Sequence, residues 1–159
     1  MPAEELLMPK LRIMNTPYHW WVVILATLAM IGDGLVIQSI PVLYPFIRED
    51  LALTRAEVGL ITSAIMGTSM ITVMFGGILS DVLGAKRVLV IVMIYTAFPV
   101  LALSLIDSLW AAITVGFLIG IGVGPFYPAT SKQIVDWVPQ SSRALAMSIK
   151  QTGPPVAGT

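Results

Sequence analysis

The sequence predicts an all-α integral membrane protein: a helical bundle with about four full transmembrane helices plus the start of a fifth, its N-terminus cytoplasmic. Three observations predict it. Apolar residues make up 57% of the chain and charged residues only 11%, and mean hydropathy is +0.89, against roughly 45–50% apolar and 25% charged in soluble domains. Apolar runs long enough to cross a bilayer, which takes about 20 residues each, recur along the chain. The charges gather between those runs rather than within them.

The spans fall at about 20–44, 57–80, 88–106 and 109–131, with an incomplete one at 144–159. Thr54 and Glu57 have the spacing of a capping box opening the second helix, Asp107-Ser108 can cap the fourth, and Ser141 or Ser142 the fifth. Residues 1–19 form a cytoplasmic segment. Its Glu4, Glu5, Lys10 and Arg12, and the length of the apolar run that follows, argue against a cleaved signal. With the N-terminus inside, Lys10, Arg12, Lys86, Arg87, Lys132, Arg143 and Lys150 lie on the cytoplasmic side and only Arg48 and Arg55 outside, as the positive-inside rule prefers. Tyr18, His19, Trp20 and Trp21 then form an interfacial belt.

Composition excludes several functions. Net charge is zero, so no basic face for nucleic acid is expected. The chain has no Cys and one His, which leaves no disulfide, thiolate or His-cluster metal site, and no cofactor or enzyme chemistry is expected.

The stretch GGILSDVLGAKR, Gly76 to Arg87, is the most informative motif. Asp81 closes the second span and Lys86-Arg87 open the third, each sign at the end where the helix dipole opposes it. Two readings follow: a topological loop whose cations hold it in the cytoplasm, or a removable charge link from Asp81 to another helix end. The pattern Gly77, three residues, Asp81, two residues, Gly84, one residue, Lys86-Arg87 resembles the loop between the second and third helices of the major facilitator superfamily. YHWWVV, DLALTRAEVG, GIGVGPFYPAT and the Pro139–Arg143 turn look like their counterparts in that family, so the resemblance covers about residues 18–159. Val82 and Ala85 stand where the family usually carries basic side chains.

The resemblance implies a secondary transporter with about twelve spans in two halves of six. The chain would supply most of the first half, and would work with a second half, a small-molecule solute, protons or another ion, and the lipid bilayer of the cell membrane. It further implies that Gly77 permits close helix approach, Asp81 is a gating carboxylate, Gly84 makes the turn, and Lys86 and Arg87 form the basic cluster. Gly116 occupies the place of an arginine found in some proton antiporters of the family, so that mechanism is not implied.

Asp33, about 14 residues into the first span, is the only acid deep in an apolar run. A central Asp costs about 2.5–3.5 kcal/mol, which about a dozen Leu, Ile, Val and Phe residues can offset. The expense suggests either proton coupling or substrate contact, or an acid paired structurally with an unseen base. Gln38, five residues on, would share its cavity obliquely, and Gly32 and Gly34 would let a neighbour or solute approach. Tyr44, Thr68 and Thr72 are candidate cavity hydroxyls, although threonine in a span usually bonds its own helix. Lys132 and Lys150 could attract an anionic solute at the cytoplasmic mouth; snorkelling to the headgroups is the simpler reading. Gly116, Gly120 and Gly124 form a small-residue ladder suited to packing the fourth helix, in the family's arrangement against the first. The alternative to a transporter is a small membrane scaffold or complex subunit; a four-span exporter acting as a dimer fits less well, because the third span has almost no polar face.

Overall fold

The computed structural model describes residues 18–158. The expected cytoplasmic segment therefore lies largely outside the described residues, with Lys10 and Arg12. The described chain is helical: α1 Tyr18–Asp50, α2 Arg55–Leu83, α3 Ala85–Ala102 continued by a 3-10 turn at Leu103–Leu105, α4 Leu109–Val123, α5 Phe126–Trp137, α6 Arg143–Gln151 and α7 Gly153–Ala157. Four rods are long and apolar enough to cross a membrane: α1, α2, α3 with its 3-10 turn, and α4 and α5 together.

Each boundary has a chemical cause. In the capping box before α2, the Glu57 amide donates to Thr54 Oγ1 at 3.3 Å and the Thr54 amide donates to Glu57 Oε2 at 2.7 Å. Ser108 accepts from the Ala111 amide and opens α4. Gly84, at φ +85°, makes the sharp α2–α3 joint, a conformation that costs glycine little. The fourth rod differs from the unbroken span expected at 109–131. It divides at Gly124-Pro125, where proline has no amide to donate, and runs on to Trp137. Before α6, Ser142 makes no capping bond. Arg143 does the tethering instead, donating through Nε to Val138 O (3.0 Å) and through Nη2 to Val135 O (2.8 Å). The fifth segment breaks between α6 and α7 at Thr152, immediately before Gly153-Pro154-Pro155.

Packing falls into three apolar clusters. At one end Ile40 and Ile47 of α1 meet Ile61 and Ile65 of α2 and Val115 and Ile119 of α4. In the middle Ala29 meets Val88, Leu89 and Val92 of α3 and Phe126 and Ala129 of α5. At the other end Val23 and Ala26 meet Ile134, Val138 and Ala146. Lipid supplies little apolar drive between helices, so close approach and dispersion must hold the bundle. The glycine ladder provides it, but toward α2 rather than the first helix. A Cβ on Gly120 would stand 2.5 Å from Ile65 O and 2.8 Å from Thr68 Cβ, one on Gly116 3.2 Å from Ile61 O, and one on Gly124 2.6 Å from Ser69 O. On α3, Val90, Ile91, Met93, Ile94, Phe98 and Leu101 are exposed, a face that suits hydrocarbon.

Candidate functional site: two buried charges and a surface ion pair

Asp33 sits in the middle of α1 and is 7% exposed. Met30, one turn earlier, lies with its sulfur 3.5 Å from Thr130 Oγ1 of α5. The carboxylate Oδ1 of Asp33 is buried with no hydrogen-bond partner. Polar groups are rarely left so in hydrocarbon surroundings, because each one costs several kcal/mol or roughly that order. The flanking glycines have different roles. Gly34 is where α7 closes in, a Cβ there standing 2.8 Å from Pro154 Cα, whereas Gly32 faces open space. Across the same seam a Cβ on Gly153 would be 2.9 Å from Met30 Cβ.

Gln38 does not share a cavity with Asp33 in any contact the structure makes. Its Nε2 donates to Pro154 O at 2.7 Å, satisfying a carbonyl in the broken fifth segment. The hydroxyls read as cavity candidates also work between helices. Tyr44 Oη and Thr62 Oγ1 are 2.7 Å apart, joining α1 to α2. Thr72 Oγ1 is 3.0 Å from both its own helix's Thr68 O and Gly120 O of α4, and Thr68 packs against Gly120.

Asp81 finds its partner within this bundle: Lys132 Nζ of α5 lies 3.0 Å from Asp81 Oδ1 and 3.5 Å from Asp136 Oδ1, one turn along its own helix. Lys132 thus forms ion pairs rather than reaching freely for headgroups. The Asp81 and Lys132 side chains are 68% and 31% exposed, so water screens the pair and it adds little to stability. Such a link is easy to break. Lys86 and Arg87 are exposed and join no ion pair among the described residues. The close approach expected of Gly77 belongs to its neighbour: a Cβ on Gly76 would be 2.5 Å from Pro125 Cα, while Gly77 has nothing within 4 Å.

Lys150 departs furthest from expectation. It does not snorkel; it is fully buried, with Nζ donating to Ser131 Oγ at 2.7 Å and Thr130 Oγ1 at 3.3 Å, and lying 4.1 Å from the centre of the Tyr127 ring. This cluster gave no signal in the sequence, because its members lie 19 to 23 positions apart on two helices whose register only the fold sets.

The bundle thus carries charges near the α2–α3 joint, a glycine-rich fourth rod, and buried charged side chains at Asp33 and Lys150. The family model for the major facilitator superfamily matches residues 17–159. The chain belongs to the major facilitator superfamily. Among curated proteins this superfamily member is similar to a hexuronate transporter of Bacillus subtilis, 29% identical over 121 residues, which are 76% of the chain and 29% of that relative. It is similar to a probable sulfoacetate transporter of Cupriavidus necator, 28% identical over 111 residues, 70% of the chain and 26% of the relative. A gallate transporter of Pseudomonas putida is 27% identical over 136 residues, 86% of the chain and 30% of that protein. The chain thus spans less than a third of the length of each.

Proposed function

We propose that this bundle works with a second helical half as a secondary transporter in the cell membrane that moves a small organic anion together with a proton by alternating access. A cytoplasmic N-terminus belongs to this reading, and the cations of the α2–α3 loop support it through the positive-inside rule. The observation that carries the reading is the buried Asp33 carboxylate, whose Oδ1 has no partner in the middle of an apolar helix. An acid at that depth is costly unless its charge is used, and loading and releasing a proton as access alternates is such a use. The anion class is supported by the similar proteins, since hexuronate, sulfoacetate and gallate all carry a carboxylate.

The test is uptake by proteoliposomes of the intact transporter. An inward proton gradient should drive accumulation of at least one of glucuronate, sulfoacetate and gallate, and should leave glucose outside. Glucose accumulation without any of the anions contradicts the reading.

In the same mechanism the Asp81–Lys132 pair is a latch for one access state, weak enough at the bundle's end to open in each cycle. Asp81→Ala should change the rate of exchange several-fold without lowering the amount of protein in the membrane. Wild-type turnover in that variant would leave the loop a topological role only.

A further inference from the structure

Lys150 is a buried charge without an opposite charge. Among the described residues the ion pairs are those of Lys132, so no carboxylate lies within 4.0 Å of the Lys150 ammonium. Its three contacts are neutral: two hydroxyls and a ring face. Both hydroxyls have other acceptors for their protons. Ser131 Oγ donates to Tyr127 O at 2.8 Å, and Thr130 Oγ1 to Phe126 O at 2.8 Å. Each therefore offers the ammonium a lone pair. The arrangement holds the cation in place and leaves its charge uncompensated, a state that burial makes expensive.

We infer that the Lys150 ammonium, flanked by Ser131 and Tyr127, is the subsite that takes the anionic group of the transported solute. The inference deepens the proposed anion transport and rests on it. A solute would reach the buried ammonium on the side that Tyr127 covers. Tyr127 covers the ammonium with its ring yet is 51% exposed. A turn of that ring would uncover Nζ, and an arriving carboxylate oxygen would replace the ring as its partner while Ser131 Oγ keeps the ammonium in place. Lys132 is a poorer receptor because two carboxylates already neutralise it, and Lys86 and Arg87 are exposed at the bundle's end, where water competes. The location also suits coupling. Thr130, which bonds Lys150, touches Met30 of α1, and Asp33 is one turn farther along that helix. The proton site and the anion site thereby share one seam between α1, α5 and α6.

The test measures binding of glucuronate, sulfoacetate and gallate to the intact purified transporter, by the ligand-dependent rise in its melting temperature and by equilibrium titration. The anion that binds the wild type should bind Lys150→Gln about 10- to 100-fold more weakly, the loss expected for one charge-assisted hydrogen bond. Ser131→Ala should weaken it by a smaller factor, and Lys150→Arg should recover part of the affinity. An unchanged dissociation constant in folded Lys150→Gln overturns the subsite while leaving anion transport standing. If that variant does not fold, unchanged affinity in Ser131→Ala overturns it equally. A wild type that binds none of the three anions defeats the subsite and the transport reading together.

Discussion

Asp33→Asn is expected to abolish uptake driven by a proton gradient while leaving the protein folded in the membrane. The amide has nearly the shape of the acid, so packing around Met30, Gly34 and the α5 face should persist. It cannot take up and release a proton. Its insertion cost is also lower than that of an ionisable side chain at the same depth, so a fall in expression is not expected. Exchange of labelled for unlabelled solute at equal concentrations needs no net proton movement and should continue. Loss of gradient-driven uptake with exchange intact assigns Asp33 to coupling. Undiminished gradient-driven uptake in Asp33→Asn would remove it from that role, and loss of both activities with normal folding would place it in solute binding.

The second large effect is structural. Gly120→Val should destabilise the bundle by more than about 3 kcal/mol, at or beyond the upper end of ordinary overpacking costs. The reason is the identity of what a side chain would meet: Ile65 O at 2.5 Å and Ser69 N at 3.1 Å are backbone atoms of α2 and cannot rotate away. With little apolar drive between helices in lipid, separating α2 from α4 is not offset elsewhere. Gly77→Ala is the matched control. Nothing lies within 4 Å of its Cβ, so that change should be neutral or slightly stabilising through helix propensity. Thermal unfolding in detergent compares them, and equal midpoints for Gly120→Val and wild type would mean that the ladder does not hold α2 and α4 together.

Features governed by one helix were legible in the sequence. The four spans follow from length and apolarity, because a backbone in hydrocarbon must satisfy itself. The Thr54–Glu57 box is a local hydrogen-bond pattern with a fixed spacing. Features that need the register between helices were not. Gly76 and Gly77 are adjacent and equally small, and only the position of Pro125 decides which of them the α4–α5 joint approaches. Lys132 and Asp81 are 51 positions apart, and their pairing depends on how far the fourth rod continues past its apolar part, to Trp137. Lys150 looked like a headgroup lysine because it stands near the start of an apolar segment. The close α1–α7 contact at Gly34 and Gly153 draws that segment inward, and Thr130 and Ser131 are placed to receive its ammonium.

The central claim is that an anion and a proton cross together, and movement of the proton is its most direct measure. When glucuronate, sulfoacetate or gallate is added outside weakly buffered proteoliposomes of the intact transporter, with no pH gradient imposed, the external medium should become more alkaline as protons enter with the transported anion. Asp33→Asn should remove the signal. Accumulation of the anion with no change in external pH would contradict the account.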